Sequence, residues 1–186
     1  MERLSQHLKQ FLAAGAAVVI LAVPARADPS ELDALFAGLK TASTEVSAQI
    51  EQRIYDIWSE SGSASMDLLL QRGRDALTTG DTKTAIEHFS AVIDHAPDFA
   101  EGYNGRATAF YQLGQYGPAL DDIRKTLELN PRHFGAMTGL ALIMEELGME
   151  KDALEVWRRV AAIAPNSDGV QDAINRLEKQ GEGQTL

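Results

Sequence analysis

The chain has no cysteine in its 186 residues. No disulfide, thiolate-bound metal or thiol nucleophile is open to it, so packing alone must hold its fold. Basic residues are scarce. Lys and Arg number 17 against 27 Asp and Glu, a formal net charge of −10. That sign repels nucleic acid and anionic lipid, so neither is a default partner. Long apolar runs are also missing, with one short exception: "FLAAGAAVVILAV" (11–23) is thirteen residues without a charge. A membrane-spanning helix needs about 20. The run follows Arg3 and Lys9 and precedes Pro24 and Ala25-Arg26-Ala27, the order of a secretory signal. Residues 1–27 are therefore expected to be cleaved after Ala27, leaving a chain that starts at Asp28 in the bacterial periplasm. Without a cysteine there is no lipoprotein anchor, and no stable membrane insertion is expected after cleavage. Removing the three Lys/Arg and one Glu of residues 1–27 leaves 14 basic and 26 acidic groups, a net charge of −12.

Proline is sparse, yet half of the prolines stand on a ruler. Pro97, Pro131 and Pro165 are 34 residues apart. Gly80, Gly114 and Gly148 keep the same spacing, as do Ala85, Ala119 and Ala153. Gly73, Ala107 and Ala141 make a column of small residues; Phe89, Ile123 and Trp157 make a large apolar one. Chance rarely repeats so many columns in one register. Each block has the punctuation of two helices. The first is expected over about 66–79, 100–113 and 134–147, ending at a glycine that turns left-handed at low cost. The second ends before a proline, which disfavours helical geometry in the residue ahead of it. Pro118 suits the first turn of the middle one.

This pattern of small residue, Gly, Ala, large apolar residue and Pro at period 34 resembles the tetratricopeptide repeat (TPR). The stretches "IWSESGSASMDLLLQRGRDAL", "RATAF" and "NPRHFGA" resemble exported TPR proteins of alphaproteobacteria. The resemblance implies an all-α fold: a right-handed superhelix of three TPR helix pairs (66–99, 100–133, 134–167) with a capping helix at 168–180. Val170, Ala173, Ile174 and Leu177 would pack inward, with Asp172, Arg176, Glu178 and Lys179 outward. Residues 181–186 are expected to be a frayed tail. Two N-terminal docking helices would fill 28–65. The first, capped by Ser30, carries Leu32, Leu35, Phe36 and Leu39; the second carries Val46, Ile50, Ile54, Ile57 and Trp58. Gln49 and Arg53 break any sustained heptad.

Catalytic chemistry has little to stand on. His88 and His95 are two helical turns apart, no HExxH spacing occurs, and the histidines, His133 included, are expected to be solvated. Asp121-Asp122 and Glu145-Glu146 are adjacent, so each pair diverges by about 100° on a helix. No serine has a His–Asp context and no glycine-rich loop follows a strand. No enzyme activity, metal or cofactor is expected.

What remains is surface. The resemblance implies a non-enzymatic protein–protein interaction module, an adaptor or scaffold of the envelope. It would hold a peptide or protein segment on the concave side, lined by the first helix of each pair. The stripe includes Asp67, Leu70, Arg74 and Thr78; Glu101, Asn104, Thr108 and Tyr111; and Thr138, Leu142 and Glu145. Of these, Arg74, Asn104, Thr108, Tyr111, Thr138 and Leu142 are the candidate groove residues. Arg can fork onto a carboxylate, Asn can hold an extended backbone, and Tyr gives area with a polar tip. The carboxylate clamp of chaperone-binding TPRs is not supported, because its places hold Leu70, Arg74, Gly105, Gly135 and Gly139. The alternative function is a self-associating structural component that uses the N-terminal apolar helices. One departure stands out. Where the family packs a bulky apolar residue, this chain has Arg72 and Arg106. They are expected to snorkel, with at most partial pairing to Glu87 and Asp121. Thr126 is a second departure, polar where Val92 and Val160 are apolar.

Overall fold

The computed structural model describes residues 29–183. Among them are nine α-helices and no strand: α1 (Pro29–Leu39), α2 (Thr44–Trp58), α3 (Ala64–Thr78), α4 (Thr82–His95), α5 (Ala100–Gln112), α6 (Tyr116–Leu129), α7 (Phe134–Glu146), α8 (Glu150–Ile163) and α9 (Val170–Gly183). The expected leader, 1–27, lies outside the described residues. Helix α9 continues to Gly183, three residues into the stretch expected to be a tail. As described, α1 begins at Pro29, which puts Ser30 in its first turn.

The 34-residue ruler is written into the backbone. Gly80, Gly114 and Gly148 sit at φ 78°, 67° and 69°. After each, the chain closes back on the helix it has left: Asp81 N donates to Ala76 O at 2.8 Å, Gln115 N to Phe110 O at 2.9 Å, and Met149 N to Met144 O at 2.8 Å. These bonds satisfy carbonyls that a helix end would otherwise orphan. The second helices stop just as uniformly. Ala96, Asn130 and Ala164 each donate to the carbonyl four residues back at 2.8 Å. Their φ values are −138°, −136° and −136°, outside the helical range, and a proline follows.

Helices pair as α3/α4, α5/α6 and α7/α8, and α9 packs on α8. First helices neighbour one another, α3 with α5 and α5 with α7, whereas the second helices fan outward. The array thus has an inner layer and an outer one. Ala85, Ala119 and Ala153 are fully buried where the two helices of each pair approach. Phe89 shows why small residues are needed between repeats. Its ring lies between α3 and α5. A Cβ on Gly73 would stand 2.5 Å from the ring, and a Cβ on Gly105 would also stand 2.5 Å away. An ordinary side chain at either place would collide.

The two arginines part company, and the expectation for one is overturned. Arg72 is exposed, as a snorkelling side chain would be. Arg106 is a tie. Its Nε donates to Asp122 Oδ2 at 2.7 Å, its Nη2 to Asp122 Oδ1 at 2.9 Å, and its Nη1 to Ser90 Oγ at 3.1 Å. The partner is Asp122, not Asp121. Asp121 faces solvent, whereas Asp122 is turned about 100° further round α6 into the inter-helix space. Thr126 is fully buried one turn later, and its hydroxyl donates to the Asp122 carbonyl at 2.9 Å. Arg106, Asp122 and Thr126 thus put bonded polar groups at buried or half-buried places of the array.

Candidate functional site

The concave face is built by α3, α5 and α7, and the chain itself covers part of it. Helices α1 and α2 form a hairpin held internally by Arg53 on Glu31 at 2.7 Å. The hairpin lies against the entrances of α5 and α7. Phe36, Leu39 and Ile54 join one buried cluster with Phe134 and Met137 of α7 and with residues of α8 and α9. The end of α2 is aromatic. Trp58 stacks on His133, with ring centres 4.5 Å apart and 27° between planes. Tyr55 meets Phe134 edge-on at 5.2 Å. Its hydroxyl fills the space a side chain on Gly135 would take. Polar ties flank this contact. Asn166 Nδ2 donates to Ala42 O at 2.7 Å, Ser167 Oγ to Glu51 at 2.6 Å, and Arg132 reaches Asp33 at 2.7 Å. The Arg132 guanidinium also lies 4.2 Å over the Phe36 ring.

Under α2 sits a buried charged cluster that corrects the reading of His133 as solvated. His133 is fully buried and Glu101 is 2% exposed. His133 caps α7: its Nδ1 accepts from Ala136 N at 3.0 Å. That bond leaves the ring proton on Nε2, which donates to Glu101 Oε1 at 2.7 Å. The other Glu101 oxygen accepts from Arg74 Nη2 at 2.8 Å, and Arg74 Nη1 donates to Ser59 Oγ at 2.8 Å. Tyr55 stands beside the cluster. Burial first, then the Glu101 and Glu51 charges, push its phenol well above the usual range. Arg74, Glu101 and His133 thereby join α3, α5 and α7 into one layer, and α2 is seated on that layer through Ser59, Tyr55 and Trp58.

The candidate groove residues divide accordingly. Arg74 is engaged by Glu101 and Ser59 and offers no free fork. Asn104, Tyr111 and Thr138 are half-buried, and Thr108 is exposed. The Thr108 hydroxyl donates to the Asn104 carbonyl at 3.0 Å. Tyr111 leans on Tyr116, rings 6.0 Å apart; burial and the Glu146 charge raise its phenol. Leu142 is 37% exposed, and Leu113 and Leu147 near the same helix ends are more so. The concave face therefore has a closed half at the helix entrances and an open half toward their C-termini. Glu145 is not free there: it accepts from the Trp157 indole at 2.7 Å and pairs with Arg176 at 2.6 Å. Burial opposes its ionisation, but those two partners prevail and hold its carboxyl below the usual range.

Sequence reasoning missed that α2 lies on this face. The available signals were Gly135, a residue without a side chain on the inner stripe, and the short joint "SESGSAS". Away from the concave face, a cleft of about 770 Å³ opens between the start of α8 and the end of α9, lined by Met149, Leu154, Arg158 and Leu177. Among the described residues no cluster of three metal-ligating side chains occurs. None of their helices is long and apolar enough to cross a membrane.

Comparison with known proteins agrees with this architecture. Residues 100–133 and 136–167 match the tetratricopeptide repeat. A TPR repeat-containing protein of Rhizobium etli is 33% identical over 153 residues, covering 82% of this chain and 75% of that one. Among solved structures, the TPR2B domain of yeast Sti1 in complex with pHsp70 superposes at TM-score 0.57, with 23% identity, over 63% of this chain and 99% of that one. The first TPR of Spaghetti (RPAP3) bound to the HSP90 peptide SRMEEVD superposes at 0.59, with 19% identity, over 62% and 91%. The chain belongs to the tetratricopeptide repeat family, whose domains mediate protein–protein interaction.

Proposed function

We propose that the chain is a non-enzymatic adaptor of the bacterial envelope that holds a segment of another protein on its concave face. The observation that carries this reading is the open half of that face. Leu142 and Tyr111 present apolar area there beside the exposed Thr108 hydroxyl, without a covering element from the described chain. Two similar arrays are known in complex with pHsp70 and with an HSP90 peptide. The carboxylate clamp is not part of the reading, since Arg74 is already taken by Glu101. Export is supported by the apolar run 11–23 and Ala25-Arg26-Ala27.

Site-specific photo-crosslinking in living cells, read by mass spectrometry, tests the reading. A photoreactive residue at Thr108 or Leu142 should capture a heterologous envelope protein, and one at the outward Glu87 should not. Self-crosslinks alone, or equal capture from all three positions, would overturn it. Intact mass of the exported chain should start at Asp28.

A further inference from the structure

We infer that the closed half of the concave face is a second recognition surface: a seat for an amphipathic helix with an aromatic pair at i and i+3, which α2 occupies in cis. The inference rests on the reading of the concave face as the binding face and says what kind of segment its closed half takes. The seat is defined by its present occupant. The Trp58 ring lies flat on His133 and the Tyr55 ring meets Phe134 on its edge. The Tyr55 hydroxyl enters the space above Gly135, where any other residue would carry a Cβ. Ile54, one residue before Tyr55, is fully buried, and Ser59, one residue after Trp58, takes an Arg74 donor. Apolar, aromatic, two residues between, aromatic, hydroxyl is thus the pattern the seat reads, along one face of a helix.

Three features make α2 a replaceable occupant and not a fixed wall. First, the charged cluster beneath it keeps its own bonds when it leaves, losing only the one from Arg74 to Ser59. Glu101, His133 and Arg74 satisfy one another, and α7 keeps its His133 cap. Second, beside the buried Phe36, Leu39 and Ile54, the hairpin is tied to the array by polar side chains at the margin: Arg132 to Asp33, Asn166 to the Ala42 carbonyl, and Ser167 to Glu51. Water can replace such bonds when the hairpin leaves. Third, the joint allows departure. Residues 59–63 are Ser, Glu, Ser, Gly and Ser, and Gly62 turns at φ 82°. A helix on so short a joint faces the seat at a local concentration on the order of millimolar, so a partner helix must outcompete it. The closed and open halves are continuous along α5 and α7, so a segment held at Thr108 and Leu142 can extend into the seat as α2 leaves.

The probe is a fluorescein-labelled, end-capped peptide of residues 44–61, read by fluorescence anisotropy against the protein. Tyr55→Ala/Trp58→Ala should free the seat, and this variant should bind the peptide at least tenfold more tightly than the parent does. A peptide with the same two alanines should bind neither. Adding Gly135→Ala to the freed variant should abolish capture, because it fills the space the Tyr55 hydroxyl needs. A freed variant that keeps its helical circular dichroism yet binds no peptide would overturn the inference. The unmodified protein supplies a measurement that needs no variant. Amides of α1 and α2 should exchange with deuterium through an opening that leaves α7 and α8 protected. Exchange of α2 only together with α7 would also overturn it. If photo-crosslinks at Thr108 and Leu142 capture a partner equally before and after the hairpin is freed, the adaptor reading stands and the competition with α2 falls.

Discussion

Arg106→Leu restores the apolar residue that the repeat pattern calls for, and it should nevertheless destabilise this protein. The side chain forks onto Asp122 at 2.7 and 2.9 Å and reaches Ser90 at 3.1 Å. Its side chain is 23% exposed and that of Asp122 only 8%. Removing one partner of a buried pair costs about 3–5 kcal/mol, because the other charge is stranded. The residual exposure of Arg106 reduces that, and leucine recovers some apolar burial, about 1 kcal/mol. A net loss of about 2 kcal/mol remains. For a chain of this size that lowers Tm by roughly 4–8 °C. Urea denaturation followed by circular dichroism measures it. Asp122→Asn in the leucine background should recover part of the loss, since the stranded charge goes, while Asp122→Asn alone should be destabilising. A coupling of about 1–3 kcal/mol in that cycle is expected. An Arg106→Leu protein as stable as the parent, or more so, would refute the claim that this arginine is a structural tie.

Gly114→Val should lose about 1 kcal/mol or more in the same assay, because a branched residue resists the φ of 67° found there. Gly73→Ala should lose about 1–3 kcal/mol despite alanine's better helix propensity, since its methyl would meet the Phe89 ring at 2.5 Å. His133→Ala removes the α7 cap and one Glu101 partner under Trp58; a loss of about 2–4 kcal/mol is expected, and His133→Asn, which keeps a cap, should lose less. Glu145 titrates below its unfolded counterpart. It therefore adds stability above the ordinary carboxylate pKa of about 4.3, and that stability is lost as pH falls through the lower folded value. The stability difference between parent and Glu145→Gln, measured by denaturant titration at a series of pH values, should shrink on acidification through this range.

The repeat core was legible because its rules are local and repeated. A left-handed glycine, a helix-ending proline and a small residue at a helix crossing each leave a column, and three copies make the columns visible. The arginine column misled because a helix position shows which residues are adjacent in sequence, not which face the partner helix turns inward. Asp121 and Asp122 differ by about 100° on α6, and that angle decided which carboxylate met Arg106. His133 looked like a surface residue in "NPRHFG", and only the arrival of Glu101 from α5 and Trp58 from α2 buries it. Such contacts join residues 32 and 75 positions apart in the chain, at no fixed period. The family resemblance together with helical spacing put Asn104, Thr108, Tyr111 and Leu142 on the inner stripe. The cover over the rest was not legible, because nothing in the apolar stripe of α2 says which face it seeks.

The account turns on α2 lying on the concave face of the array. Cross-relaxation between the Trp58 indole protons and the His133 ring protons, measured by solution NMR on the unmodified protein, tests that directly. Rings stacked with centres 4.5 Å apart should give strong cross-peaks. These should fade as unlabelled 44–61 peptide is titrated in to millimolar concentration. Absence of those cross-peaks in the peptide-free protein, with Trp58 at solvent-exposed shifts, would contradict the account.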